Sequence, residues 1–390
     1  MTQAVILSAV RTAVATSRKG SLVNTPPEVL ALAVLEAAIE RAGLSRAQVG
    51  DVVFAESLYG GGAVARHAAV EAGLVRAGGM AVNRHCAGSL TATAIAAASV
   101  LSGMEDVVIA GGVQSMSFMP IMRQRNARTN AMEDFWMPPT HPDTVEAPNA
   151  DMSILIGWNV AREAGIDRAT MDAWAARSHR RAIAAIDAGT FSREIVPVMA
   201  TGPDGQVFSF ALDEHPRRDS SVEKLATLKP IHPEIEGFSI TAGNSSGIND
   251  AASALAVTTD TYAKANGLAP LARILGWAAT GVEPKRTGLA VIDVVAKLME
   301  RTGRKHRDVA LWEINEAFAS VPIAACRALE LDEETVNISG SGCSIGHPVA
   351  ASGGRMIATL INDLKRRGGG LGVATMCAGG GQAGAVLIEV

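Results

Sequence analysis

Cysteine is scarce in this 390-residue chain, which has only four. No two lie close enough in sequence to make a zinc-binding pair, and their spacing does not suggest a disulfide framework. A reducing, cytoplasmic interior is therefore the expected location, with no metal. No run reaches the roughly 18 apolar residues of a membrane span. Residues 1–11 also lack a charged segment followed by a sustained apolar core, so neither a secretory signal nor a membrane contact is expected. Basic charge is not in excess: 35 Lys and Arg against 39 Asp and Glu leave a formal charge of -4. That balance argues against nucleic acid as the main partner. The small basic clusters at 123–128, 217–218 and 365–367 read first as solvated faces, with a phosphate contact as the alternative.

What the chain does have is apolar character: 48% of its residues are hydrophobic and 19% charged. This fits a globular protein of two or three domains with a large core. Short β-branched runs alternate with alanine-rich segments of helical length, which predicts an α/β fold. Strands are expected at 4–8, 51–55 and 81–83, and helices at 27–42, 63–72 and 89–102. A small-residue loop at 60–62, a strand at 107–110 and a turn at Gly111-Gly112 complete the first part. The C-terminal portion repeats the order, with a helix at 353–367, strands at 371–376 and 385–390, and a turn at 379–381. A duplicated domain is the expectation, and a coincidence of α/β units is the alternative. Between them, residues 118–237 hold most of the prolines and half of the methionines, including Met137-Pro138-Pro139, which cannot be regular structure. The amphipathic segment 167–188, with Trp174 and Ile183 among its apolar positions, predicts that this insertion is folded and covers something.

Two of the four cysteines sit in runs of small residues almost three hundred positions apart. Cys86 lies in Asn83-Arg84-His85-Cys86-Ala87-Gly88-Ser89-Leu90, at the start of a predicted helix. Cys377 lies in Met376-Cys377-Ala378-Gly379-Gly380-Gly381-Gln382, after a predicted buried strand. Either could be an inert small core residue. A helix N-terminus favours a thiolate by about 0.3–1 kcal/mol, whereas lowering a thiol pKa by one unit takes about 1.4 kcal/mol. A thiolate at Cys86 therefore needs a neighbouring base. His347, in Gly346-His347-Pro348, is the first candidate among eight histidines. His85 competes, although adjacent side chains normally diverge, and a histidine merely satisfied in its loop is the remaining alternative. Asn315-Glu316 follows the apolar run 309–314. Asn315 is placed there to hold a water or donate to an oxyanion, an interaction worth about 3–4 kcal/mol in a hydrolase. The plainer readings are a turn for Asn315 and a helix cap for Glu316.

Six segments together resemble the thiolase family across essentially the full chain. They are Ser8-Ala9-Val10-Arg11-Thr12, the segment from Gly111 to Ser117, and the segment from Thr241 to Asp250. Asn315-Glu316-Ala317-Phe318, Gly346-His347-Pro348 and Cys377-Ala378-Gly379-Gly380-Gly381 complete the set. The resemblance implies two similar α/β halves packed as five alternating layers (αβαβα) under an inserted loop domain. The corresponding division is 1–117 with 247–268, then 118–246, then 269–390.

The resemblance also implies residue roles. Cys86 would carry the acyl group as a thioester. His347 would activate it and, with a water held by Asn315, meet the thioester oxygen of the second acyl-CoA. Cys377 would be the acid/base, and the N–H groups of Cys86 and Gly379 a second oxyanion hole. Coenzyme A would be a substrate, with no tightly bound cofactor, contacting Arg217, Ser246, Ala317 and Phe318. A homodimer or homotetramer is expected. Breaking a carbon–carbon bond leaves an enolate that must be protonated, and one thiol cannot be acylated and act as the acid at once. Two cysteines meet that demand.

The chain departs from the family pattern at Ala87-Gly88-Ser89, Gln114, Asp151 and Thr287. The last stands where short-chain members carry a methionine, which suggests more space beside the acyl group and a substrate bulkier than acetoacetyl-CoA. The expected activity is thus that of a 3-ketoacyl-CoA thiolase in lipid degradation. The alternatives are an acetoacetyl-CoA-forming thiolase and a catalytically silent acyl-CoA-binding scaffold. A silent member would have lost Cys86, His347 or Cys377, and this chain has all three.

Overall fold

The computed structural model describes residues 2–57, 63–135 and 139–390. The loop expected at 60–62, and Met137 and Pro138 of the proline-rich segment, lie outside these residues. The first half runs β1 (Ala4–Thr12), α1 (Pro27–Arg41), β2 (Asp51–Ala55), α2 (Val64–Glu71), β3 (Met80–Val82), α3 (Gly88–Ser102) and β4 (Val107–Gln114). An insertion containing α4 (Arg168–Asp187) follows, and β5 (Asn249–Thr259) returns the chain to the sheet. The second half runs β6 (Ala272–Gly281), α5 (Ala290–Thr302), β7 (Val309–Ile314), α6 (Ser320–Leu329), α7 (Ser352–Arg366), β8 (Leu371–Ala378) and β9 (Gln382–Glu389).

Local chemistry accounts for several of these boundaries. Pro27 opens α1, where its missing N–H costs nothing. Asp167 caps α4 by accepting from the Thr170 N–H at 2.8 Å. Gly103, in the left-handed region, ends α3. Every residue of β1 and β4 is buried, so these strands read as mostly apolar runs without alternation, and the buried Arg11 of β1 is paired with Glu194 and Asp213. The pair Gly111-Gly112 belongs to β4 and is not the expected turn. Cβ atoms there would lie 2.0 Å from the Ser253 and Ala350 carbonyl oxygens, so glycine serves close backbone approach. Cys377 likewise lies inside β8 rather than beyond it.

The strands are hydrogen-bonded in the order β7-β8-β9-β6-β1-β5-β4-β2-β3. The two halves join where β1 and β6 pair over only three residues, Ala4 to Ile6 against Ile274 to Ala272. Each half runs strand, helix, strand, helix, helix and two strands, with β3 between the second and third helices of the first half where the second half has a loop, and with the insertion interrupting the first. Three hydrophobic clusters define the layers. One packs α1 and α2 on the first half's outer face, with Leu30, Leu35 and Phe54 fully buried. A second, with Leu90, Met356 and Leu360, fills the space between the halves around α3 and α7. A third packs α5, α6 and part of the insertion on the other outer face. The result is the helix–sheet–helix–sheet–helix sandwich. One helical stretch, His85–Ser102, does have the length and hydropathy of a membrane span. It is α3 with its leading turn, and α3 packs against α7 and the strands of the first half.

Candidate active site

The candidate residues gather where the two middle-layer helices begin. Cys86 lies in the tight turn His85–Ala87 leading into α3, and His347 lies in the loop leading into α7. These are equivalent positions of the two halves. The helix starts nearly touch: a Cβ on Gly353 would be 2.6 Å from the Leu90 nitrogen, and the Gly354 N–H donates to Ser89 Oγ at 3.0 Å. The unusual Ala87-Gly88-Ser89 turn therefore links the two helices. Cys377 is fully buried in β8, close enough to Cys86 for the two thiols to affect each other's ionisation.

A cavity of about 280 Å³ has Cys86, His347, Gly379, Ser246, Ala317 and Phe318 on its walls. Asn315, at the end of β7, packs against the imidazole. Its Nδ2 lies within hydrogen-bonding distance of both ring nitrogens, 3.3 Å from Nδ1 and 3.4 Å from Nε2, and its buried Oδ1 has no partner among the described residues. Arg217 is not part of this wall. Its side chain is exposed, and its backbone N–H donates to His179 Nδ1 at 3.1 Å. Among the described residues, no cluster of His, Cys, Asp or Glu is placed to hold a metal.

Burial dominates the electrostatics. It pushes the Cys86 thiol up to about 11, although the N–H groups of Gly379 and of Cys86 itself point at the sulfur and favour its anion. Burial, reinforced by the Arg355 charge, pushes His347 down to about 3. Cys377 is raised too, by burial first and by the neighbouring Cys86 second. At neutral pH the resting pair is thus a neutral thiol and a neutral imidazole. The expected thiolate is not the resting form, because the helix terminus and N–H groups offset too little of the desolvation cost. A nucleophilic role for Cys86 would require its proton to move as the sulfur attacks.

Two residues without an assigned role hold His347 for that step. Its backbone N–H donates to Asn249 Oδ1 at 3.0 Å, and its Nδ1 lies 2.6 Å from Ser352 Oγ. Ser352 spends its own proton on the Pro348 carbonyl at 2.9 Å. Its oxygen must therefore accept from the imidazole, which puts the proton on Nδ1 and leaves Nε2 as the acceptor nitrogen, 3.4 Å from Asn315 Nδ2. Asn249 belongs to a motif already noted, but no local signal tied Ser352 to a histidine five residues earlier.

Glu316 is neither a helix cap nor a reacting group. It accepts from Trp174 Nε1 at 2.8 Å, Ser178 Oγ at 2.6 Å, Asn337 Nδ2 at 2.9 Å and the Cys343 N–H at 3.1 Å. It thereby ties α4 of the insertion to the end of β7 beside Asn315.

Thr287 also differs from expectation, because it opens no space. It is fully buried, outside the cavity wall, and its Oγ1 accepts the Gly381 N–H at 2.9 Å while donating to the Pro284 carbonyl at 2.5 Å. The hydroxyl thus pins the 379–381 turn whose first N–H faces Cys86. Thr287→Val strands a buried N–H, at a cost of about 1–3 kcal/mol. It is expected to lower the midpoint of thermal unfolding and to cut kcat about tenfold through loss of Gly379 alignment. Thr287→Ser should restore both, and unchanged kinetics in the valine variant would show that the turn holds without it.

The comparisons agree with this geometry. The family model described as "Thiolase, N-terminal domain" matches residues 4–261, and "Thiolase, C-terminal domain" matches residues 268–390. An acetyl-CoA acetyltransferase of Escherichia coli is 38% identical over 403 residues, covering 100% of this chain and 99% of its own. The beta-ketothiolase BktB of Cupriavidus necator is 38% identical over 396 residues, covering 99% of each. A 3-ketoacyl-CoA thiolase of Bacillus subtilis is 34% identical over 403 residues, covering 100% of each. The crystal structure of the Bacillus anthracis acetyl-CoA acetyltransferase superposes with a TM-score of 0.91 at 36% identity, over 100% of this chain and 99% of that one.

Proposed function

Because the chain belongs to the thiolase family and is therefore an acyltransferase acting on acyl-CoA and CoA, we propose that it is a 3-ketoacyl-CoA thiolase. It would cleave its substrate reversibly with coenzyme A to acetyl-CoA, or a related short acyl-CoA, and a shortened acyl-CoA. The observation that carries this reading is that a buried thiol with two N–H groups directed at its sulfur meets an imidazole at one cavity, with the second thiol, Cys377, buried behind the wall near the first.

In this reading Cys86 Sγ attacks the 3-keto carbon while Nε2 of His347 takes its proton. The alkoxide formed lies against the N–H groups of Cys86 and Gly379, the two that already face the sulfur. Collapse of the alkoxide breaks the C2–C3 bond, and Cys377 gives its proton to C2 of the departing acetyl-CoA enolate. The enolate oxygen is met by protonated His347 and by a water held at Asn315, whose buried Oδ1 is otherwise unpaired among the described residues. The Cys377 thiolate then takes the proton of the incoming CoA thiol, whose sulfur displaces Cys86 from the thioester, and His347 returns its proton to Cys86. Protons and bonds balance over the cycle.

Ser246, Ala317 and Phe318 would line the pantetheine path, with Arg217 outside it near the nucleotide. Residues 118–246 would be the cover, residues 1–117 with 247–268 the first half, and residues 269–390 the second. A cytoplasmic homodimer or homotetramer in lipid degradation completes the proposal.

The choice of longer 3-ketoacyl groups is supported by Met116, Met152, Ile156 and Val349 on the same cavity wall. The acetoacetyl-CoA-forming reading uses the same residues and is favoured by the names of relatives such as that of Escherichia coli. Steady-state thiolysis of acetoacetyl-, 3-oxohexanoyl- and 3-oxooctanoyl-CoA separates them. The proposal expects kcat/KM on the longer substrates to equal or exceed that on acetoacetyl-CoA. Negligible turnover of everything except acetoacetyl-CoA would establish the second reading.

A further inference from the structure

His85 has no place in the mechanism above, yet it stands on the wall of the reaction cavity beside Cys86 and Gly379. A Cβ built on Gly379 would lie 3.8 Å from His85 Cγ and 3.9 Å from Met152 Sδ, so the imidazole faces the glycine whose N–H is directed at the sulfur. The residue is held there at a cost. Its φ is +43°, a left-handed conformation that non-glycine residues adopt uncommonly. Three bonds to its backbone hold it: its N–H donates to Asn83 Oδ1 at 2.8 Å, and its carbonyl accepts from Ser57 Oγ at 3.0 Å and from the Gly88 N–H. Among the described residues the ring itself hydrogen-bonds nothing, although it is partly buried.

An imidazole without partners in a wall otherwise built largely from Met116, Met152, Ile156, Phe318 and Val349 is an expensive packing choice, since an apolar side chain would fill the same space without a desolvation penalty. Its ring nitrogens are open to a ligand that enters the cavity and brings a partner. Cys86 is the next residue, so an acyl group carried on its sulfur extends into the space that this ring borders. Among the described residues, the wall contains no Lys or Arg. A carboxylate there would be desolvated without a fixed counter-charge, whereas a neutral oxygen needs only one hydrogen bond. Burial holds the imidazole below its ordinary pKa, which keeps it neutral and able to donate or accept.

We propose that His85 is a specificity-determining residue that hydrogen-bonds a neutral oxygen, typically a hydroxyl, carried on the acyl chain of the substrate. The preferred substrates are therefore hydroxylated 3-ketoacyl-CoAs rather than plain alkyl ones. This inference rests on the thiolase reading.

The test compares kcat/KM for thiolysis of 3-oxohexanoyl-CoA, its 5-hydroxy and 6-hydroxy analogues, and 3-oxoadipyl-CoA, which carries a carboxylate on the same chain length. The parent enzyme is expected to favour the better hydroxylated analogue over the alkyl substrate by about tenfold or more. His85→Leu should erase that preference, and His85→Gln, which keeps a donor and an acceptor, should retain part of it. Equal use of alkyl and hydroxylated substrates by the parent overturns the assignment whatever the variants do. So does a preference that survives in His85→Leu. Preference for 3-oxoadipyl-CoA above both hydroxylated substrates overturns the neutral-oxygen assignment. If the parent cleaves the alkyl substrate without discrimination, only the His85 proposal falls. If it cleaves none of these and no acetoacetyl-CoA, the thiolase reading falls and takes this one with it.

Discussion

Cys86→Ala is expected to lower thiolysis and condensation by about 10⁵-fold or more, the scale seen when a covalent nucleophile is removed. The sulfur faces the Gly379 N–H and lines the cavity, the position an acyl carrier needs. His85 adjoins it but offers an imidazole rather than a thiol, and Cys377 lies fully buried behind the wall. Folding should change little, because the variant loses one small sulfur from a site already lined by a cavity. The check is twofold: steady-state rates in both directions, and a mass measurement showing that the variant takes up no acyl group from acetyl-CoA. Residual turnover within a hundredfold of the parent would mean that another group carries the acyl chain.

Cys377→Ala is expected to separate the two half-reactions. General acid–base catalysis contributes about 10²–10⁴-fold, so overall turnover should fall by that order while the first acyl transfer from acetyl-CoA to Cys86 persists. The electrostatics give a reason for the order of events. The Cys377 thiol is raised partly by the nearby Cys86, so the two sulfurs cannot comfortably be anionic together. Acylation removes the charge that Cys86 can carry and so lowers the obstacle to ionising Cys377. Only after the thioester forms does Cys377 become able to take the α-proton of a second acetyl-CoA. The double variant should be no slower than Cys86→Ala alone, because the second thiol has no task without the first. Stopped-flow release of the first equivalent of CoA, measured against steady-state turnover, distinguishes a stalled acyl-enzyme from a general loss of activity.

Much of the architecture was legible because its signals are local. The mostly apolar run of β1, the proline opening α1 and the Asp167 cap of α4 depend on neighbours within one turn or one strand. The duplication could be read because each half repeats those local signals in one order. Errors arose where distant backbone decides. Gly111-Gly112 has the composition of a turn, yet it continues a strand because the carbonyls of Ser253 and Ala350 press against it.

The same division holds in the site. Cys86, His347, Cys377 and Asn315 stand in glycine-bordered or strand-end contexts that mark them individually. Ser352, Asn249 and Thr287 act through single hydrogen bonds made in the fold, and a lone serine, asparagine or threonine carries no sign of its partner. Thr287 shows the hazard most directly. Its smaller side chain suggested an opening, whereas its hydroxyl is spent on the 379–381 turn. Protonation states were also out of reach, since burial of Cys86 and His347 outweighs the helix-terminus effect and only the packed structure reveals that burial.

The central claim is that Cys86 carries the acyl group while Cys377 handles the proton. Incubating Cys377→Ala with acetyl-CoA, removing free nucleotide and mapping the product by intact-mass and peptide mass spectrometry tests it most directly. The account predicts one acetyl group per chain, held as a hydroxylamine-labile thioester on Cys86. An acetyl group on any other residue, or an unmodified Cys377→Ala chain under conditions in which the parent enzyme turns over, would contradict it.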